Sequence, residues 1–196
     1  MKIAVLANLK EDAPISPEDP PGRWNDLDEW ETVQAILDSL QDLGYEAKYF
    51  AAGIESIEAI KKFKPDLCFN SGEGHFGTSR EAQMPAILDS LQLPYTCAGV
   101  LGMSLSHNKD IAKRNFRFAG LPTANFRVFD SPVDINDEGL KYPLFVKPAT
   151  EGSSIGINEH AVVQNREELN KQVNWVWETT QDRKSTRLNS SHVSQS

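Results

Sequence analysis

Tyr142-Pro-Leu-Phe-Val-Lys-Pro-Ala-Thr-Glu-Gly-Ser-Ser-Ile-Gly-Ile157 is the stretch on which the reading of the chain turns. The apolar run Leu144 to Val146 reads as a buried strand that delivers Lys147 at its end. Proline follows, and a proline cannot donate to a sheet ladder, so the strand stops there. Glu151-Gly152-Ser153-Ser154 then reads as a turn, with Gly152 and Gly156 free to take positive φ, before Ile155 to Ile157 resumes a strand-like pattern. Two hydroxyls and free backbone N–H groups beside a fixed cation suit a polyphosphate. A β-hairpin with a Gly/Ser turn and a snorkelling lysine accounts for the same residues. The stretch leaves both readings open.

Upstream, Ile3 to Ala7 reads as a buried strand, and no Gly-x-Gly-x-x-Gly follows it, so a dinucleotide fingerprint is absent. Residues 10 to 29 are acidic and carry Pro14, Pro17, Pro20 and Pro21, which excludes regular structure. Leu27, Trp30, Val33, Ile36, Leu37, Leu40 and Leu43 recur at helical spacing up to Gly44. A strand over 47–51, a helix over 54–63 and a strand over 66–70 follow. Strands alternating with helices imply a parallel sheet with right-handed crossovers, whose ligands sit outside the carboxyl ends of the strands.

At such an end stands Asn70-Ser-Gly-Glu-Gly-His-Phe-Gly-Thr-Ser-Arg-Glu81. Gly72 and Gly77 have P-loop spacing, but Thr78 takes the place of the phosphate-binding lysine, and that reading fails. His75 reads as a solvated side chain with no second His or Cys to complete a metal site. Arg80 to Leu91 reads as a helix with Pro85 near its first turn, and Leu93 to Cys97 as a short strand or extended turn. Leu101 to Ala119 has helical character, with Lys109 and Lys113 on one face; Lys113 reads as solvated. Strands over 126–129, 143–147 and 161–163, an acidic loop over 130–141 and a helix from Glu167 complete a second unit, with a boundary near residue 100.

The 196 residues carry a net charge of −8, with no basic block in the body of the chain. That argues against a nucleic acid or an anionic membrane as partner. Cys68 and Cys97 lack metal spacing and read as buried reduced thiols. The N-terminal apolar run is too short for a signal peptide and nothing approaches a membrane span, so a cytoplasmic location is expected.

Four stretches in order resemble the ATP-grasp ligases, in particular the D-alanine–D-alanine ligase group: Phe69-Asn-Ser-Gly-Glu-Gly74, Arg80-Glu-Ala-Gln-Met-Pro-Ala-Ile-Leu88, Leu93-Pro-Tyr-Thr96 with Asn108-Lys109, and Val146 to Ile157. The resemblance implies an α/β fold: an N-terminal parallel-sheet (pre-ATP-grasp) domain over 1–100, then the start of an ATP-grasp α+β domain over 101–181. It implies phosphoryl transfer from ATP to a carboxylate, giving an acylphosphate that an amine attacks. Lys147 and Lys109 then fall on the ATP phosphates, and Gly152 and Ser154 in the loop that closes over ATP. Glu151 and Ser153 fall in the same loop as candidate catalytic residues, Ser153 matching a serine that helps hold the first amino-acid substrate. ATP and Mg2+ are implied, with the metal ligands expected further along than this chain runs. A small amino-acid or peptide substrate is implied, and a homodimer stays open.

Three departures qualify the resemblance. Asn8-Leu9-Lys10-Glu11-Asp12 and the proline loop replace a glycine-rich turn whose glutamate holds the substrate amine, and Glu73 replaces a histidine. Asp182 to Ser196 is Ser/Thr-rich and locally basic, and resembles a sequencing adapter read in one frame, so it is expected to be non-native and irregular. With the later part of the fold missing, Trp175 and Trp177 are expected to be uncovered and the chain as given inactive. Set against the ligase is a non-catalytic nucleotide- or peptide-binding α/β module.

Overall fold

The computed structural model describes residues 1–19, 22–133, 135–180 and 191–195. Two compact units divide the chain: residues 1–15 with 24–104, and residues 16–23 with 105–196.

The first unit is built on β1 (Lys2–Ala7), flanked in parallel by β2 (Glu46–Ala51) and β3 (Leu67–Ser71). Ile3 to Ala7 are almost wholly buried. A central parallel strand is covered on both faces, which is why it reads as an unbroken apolar run. Val5, Ala7 and Leu9 pack under Val33 and Leu37 of α1 (Trp30–Asp42). On the other face Ala4 and Leu6 meet Phe50, Cys68, Ile60 of α2 (Ile57–Phe63), and Met84 and Leu88 of α3 (Gln83–Ser90). Pro85 is the third residue of α3, where its missing N–H costs no helical bond. The segment after α3 lies parallel to β3: Cys68 N donates to Pro94 O and Thr96 N to Cys68 O. Cys68 is buried, which pushes its thiol up to about 11. Cys97 corrects the expectation of two buried thiols: it is exposed, at a left-handed φ of 76° where the chain turns away from the sheet.

Helical character over 101–119 resolves into α4 (Val100–His107) and α5 (Lys109–Phe118). Asn108 breaks the run. Its side chain accepts from Ile111 N at 3.1 Å, which starts a new helix in place of continuing the old one.

In the second unit β4 (Phe126–Phe129), β5 (Leu144–Pro148) and β6 (Val162–Val163) share a sheet covered by α6 (Arg166–Thr180). Leu144, Val146, Phe129 and Val163 interlock with Leu169, Val173 and Val176. Arg166 donates to Asp137 and to Ile135 O, fastening the acidic loop; the Tyr142 hydroxyl, and after it Arg166, holds the Asp137 carboxyl below its usual value.

Three expectations need correction. Trp175 packs against this core and Trp177 is half-buried, so neither is left uncovered, because the last turns of α6 already lie over the sheet. The terminal stretch is not wholly irregular: β7 (Ser191–Gln195) pairs antiparallel with β4 and β5, in the order β4-β7-β5-β6. Backbone pairing asks little of side chains, and β4 and β5 each offer an edge of N–H and C=O groups; residues 182–190 lie outside the described residues. Finally, Ile155 to Ile157 does not resume a strand but closes a turn, Ile155 N donating to Gly152 O and Ile157 N to Ser154 O. No described helix is long and apolar enough to cross a membrane.

Candidate functional site

In the second unit the start of α5 meets the end of β5. Lys109 N donates to Ala149 O at 2.9 Å, and its ammonium donates to Glu151 O. Lys147 stands two residues before Ala149 on the same strand end, half-buried, with Nζ 5.9 Å from the centre of the Phe145 ring. The Asn108 break, which begins α5 with Lys109, therefore seats that lysine against the 151–154 loop, while Lys147 lies on the strand that leads into it.

That loop holds its conformation in an unexpected way. Gly152 is not among its positive-φ residues; Ser153 and Ser154 are, at 43° and 64°. Left-handed backbone is costly for residues with a Cβ, and such residues gather at ligand clamps and switches. Both serines are exposed, while Ile155 is buried as the loop's anchor. Gly156, at φ 70°, closes the turn: a Cβ there would lie 2.5 Å from Pro148 Cγ and 2.6 Å from Thr180 Cγ2. Lys109 thus joins Glu151, Gly152, Ser153 and Ser154, with Lys147 four residues before the loop.

The first unit carries a second polar centre, at the carboxyl ends of β1 and β3. Asn8 donates to Ala52 O and accepts from Gly74 N, fixing the loop after β3. Arg80, 8% exposed, donates to Asp26, to Glu73 O at 3.1 Å and to Gly74 O at 3.3 Å. Gly74 sits at φ 67°, and a Cβ on it would lie 2.6 Å from Arg80 O. Ser71 donates to Asp28 at 2.8 Å. The loop between Lys10 and Glu29 returns along the end of β1, Asp28 N donating to Asn8 O and Lys10 N to Asp28 O. Beside it lies a cleft of about 610 Å³, where Glu11, Asp12, Asp28, Glu29 and Glu31 surround Trp30 and Tyr49. Burial and the nearby Asp12 and Glu11 carboxylates push the Tyr49 hydroxyl up to about 12.

His75 is not the solvated side chain its loop suggested. Its ring stands edge-on to Trp24 at 5.6 Å, and Nε2 is buried without a described partner. Burial, more than any neighbouring charge, lowers its pKa.

Glu73 is the titrating group of this centre. Burial, then Glu81 and Asp26, push its carboxyl up to about 7, against the pull of Arg80. A carboxyl raised in the folded state stabilises the fold below its unfolded pKa, and that contribution is lost as pH rises through the folded value. Unit-one stability, read from hydrogen exchange of β1 amides, is therefore expected to fall as pH rises from the ordinary glutamate value of 4.5 to about 7. Glu73→Gln is expected to flatten that slope; an unchanged slope would assign the titration elsewhere.

Sequence reasoning missed Asp26 and Arg80, although an arginine opening an otherwise apolar helix is a signal, since a buried guanidinium needs a carboxylate. Among the described residues no three His, Cys, Asp or Glu side chains form a group that could hold a metal ion.

Residues 116–183 match the family model described as D-ala D-ala ligase C-terminus. The chain is 37% identical over 135 residues to a D-alanine–D-alanine ligase of Halorhodospira halophila, covering 69% of this chain and 42% of that protein. It spans less than half the length of that relative. Among solved structures it is similar to a D-alanine–D-alanine ligase of Bacillus anthracis (TM-score 0.69, 23% identity, 100% of this chain and 57% of that one). The same protein complexed with ATP gives a TM-score of 0.65 at 19% identity, covering 100% and 58%. Those two likenesses show the fold.

Proposed function

We propose, from a chain that is D-alanine–D-alanine ligase-like and of the ATP-grasp kind, that it supplies the front part of an ATP-dependent carboxylate–amine ligase. The observation that carries this is the start of α5 seated on the end of β5, the Lys109 ammonium donating to Glu151 O four residues beyond Lys147. In this reading a substrate carboxylate oxygen attacks the terminal phosphorus of ATP and ADP leaves. An amine then attacks the acyl carbon of the acylphosphate, and phosphate leaves with loss of one proton from nitrogen. Such a reaction needs neutralised charge and positioning more than a protein nucleophile. Lys147 and Lys109 neutralise phosphate oxygens; the N–H groups around Gly152 and Ser154 cap them; Ser153 and Glu151 face the amino-acid substrate. Mg2+ would add charge neutralisation, and no residue of this chain is assigned to it. The acidic cleft beside the proline loop fits the amine end of an amino acid, in place of the family's glutamate turn.

The test joins residues 1–180 to the remaining length of the Halorhodospira halophila ligase and follows phosphate release and product with ATP and single amino acids. Amino-acid-dependent phosphate release with one peptide-type bond formed per phosphate is expected. A folded chimera that binds ATP without releasing phosphate under any amino acid would leave the non-catalytic module standing instead.

A further inference from the structure

Lys113 is not on a solvated face. On β4 and β5 the residues alternate: Phe129, Leu144 and Val146 are buried in the core that includes α6, while Phe126, Val128, Phe145 and Lys147 take the opposite side. Pairing through β7 sets Phe126 in a row with Phe145, and Val128 in a row with Lys147. α5 brings Lys113 to this side, with Nζ 5.2 Å from the centre of the Phe126 ring, and Arg117 to the same ring at 4.6 Å. Lys113 is half-buried. Burial first, then Lys147, then Arg117, lowers its pKa.

Three cations therefore share one side of a small sheet. Among the described residues neither Lys113 nor Lys147 pairs with a carboxylate, and Arg117 is bonded to the neutral amide of Asn125. A chain with a net charge of −8 does not lack carboxylates, yet no described one pairs with either lysine. Gathering like charges and partly desolvating one of them is unfavourable until an anion arrives. A single carboxylate would leave most of that charge unmatched, whereas a ligand with several anionic oxygens in a row would not.

We propose that Lys113 is a further phosphate-binding residue, its ammonium reaching the same polyphosphate chain as Lys147 from the α5 side. The proposal rests on the nucleotide reading of Lys147 and adds a residue to it.

Inorganic tripolyphosphate, which carries the charge without a base, is titrated calorimetrically into the 196-residue chain at low salt. Lys113→Met is expected to weaken binding about tenfold and to lessen its dependence on salt, while Lys113→Arg, which keeps the charge, stays within about threefold. Helical signal and hydrogen exchange of α5 confirm that each variant is folded. Should Lys113→Met bind within about twofold of the parent while Lys147→Met loses binding, Lys113 is no ligand and the nucleotide reading survives. Equal losses in Lys113→Met and Lys113→Arg mark a packing role and overturn the proposal. Lack of saturable binding by the parent chain, or indifference to Lys147→Met, overturns the proposal and the nucleotide reading together.

Discussion

Arg80→Met is expected to destabilise the first unit by about 3–5 kcal/mol, the cost of breaking a buried ion pair from one side. The Asp26 side chain is 1% exposed and forms an ion pair with Arg80. Removing the guanidinium strands that carboxylate and also releases the carbonyls of Glu73 and Gly74. Methionine has a similar length, so a cavity contributes little. Hydrogen exchange of the slowest β1 amides measures the loss, because their opening tracks unfolding of the whole unit. The double variant Arg80→Met/Asp26→Leu is expected to recover most of it, since a buried ion pair and an apolar pair of like volume differ far less than either does from an orphaned charge. A single variant within about 1 kcal/mol of the parent would show that the loop after β3 is held by other means.

The second large effect belongs to Lys147. In the chimera that carries the rest of a relative's length, Lys147→Met is expected to lower kcat/KM for ATP-dependent phosphate release by about a hundredfold or more, because a cation aimed at developing phosphate charge acts most strongly in the transition state. Lys109→Met is expected to fall less. Its ammonium already donates to Glu151 O, so part of its role is to hold the loop. Activity within a few-fold of the parent for Lys147→Met would remove this lysine from the phosphate site.

What could be read in the sequence follows from how local each signal is. β1 was legible because a strand buried on both faces is a continuous apolar run, and α1 because its buried stripe repeats every three to four residues. The place of Lys147 near a strand end was legible because a short apolar run leads into it and a proline follows. Asp26 and Arg80 were not, because the proline loop hides one partner and the other lies 54 residues away. Lys113 was misread for a similar reason. Spacing on α5 locates its face but not what the face meets, and Lys147 comes from a strand more than thirty residues on. The serines at positive φ escaped notice because the glycine beside them was the natural candidate for that conformation. β7 escaped because pairing through backbone leaves little trace in side chains.

Gly156 sets a limit on reach. Its Cα is pressed between Pro148 at the end of β5 and Thr180 at the end of α6, so the turn is pinned at both feet. Only the seven residues 149–155 lie between the pins. A tether of that length, running out and back fully extended, carries its tip about 12 Å from its base. Any swing of the loop is thus a short-radius movement about fixed pivots, leaving the packing of α6 on the sheet undisturbed. A flap of this size can cap a chain of phosphates, and it is too short to enclose an adjoining sugar and base as well.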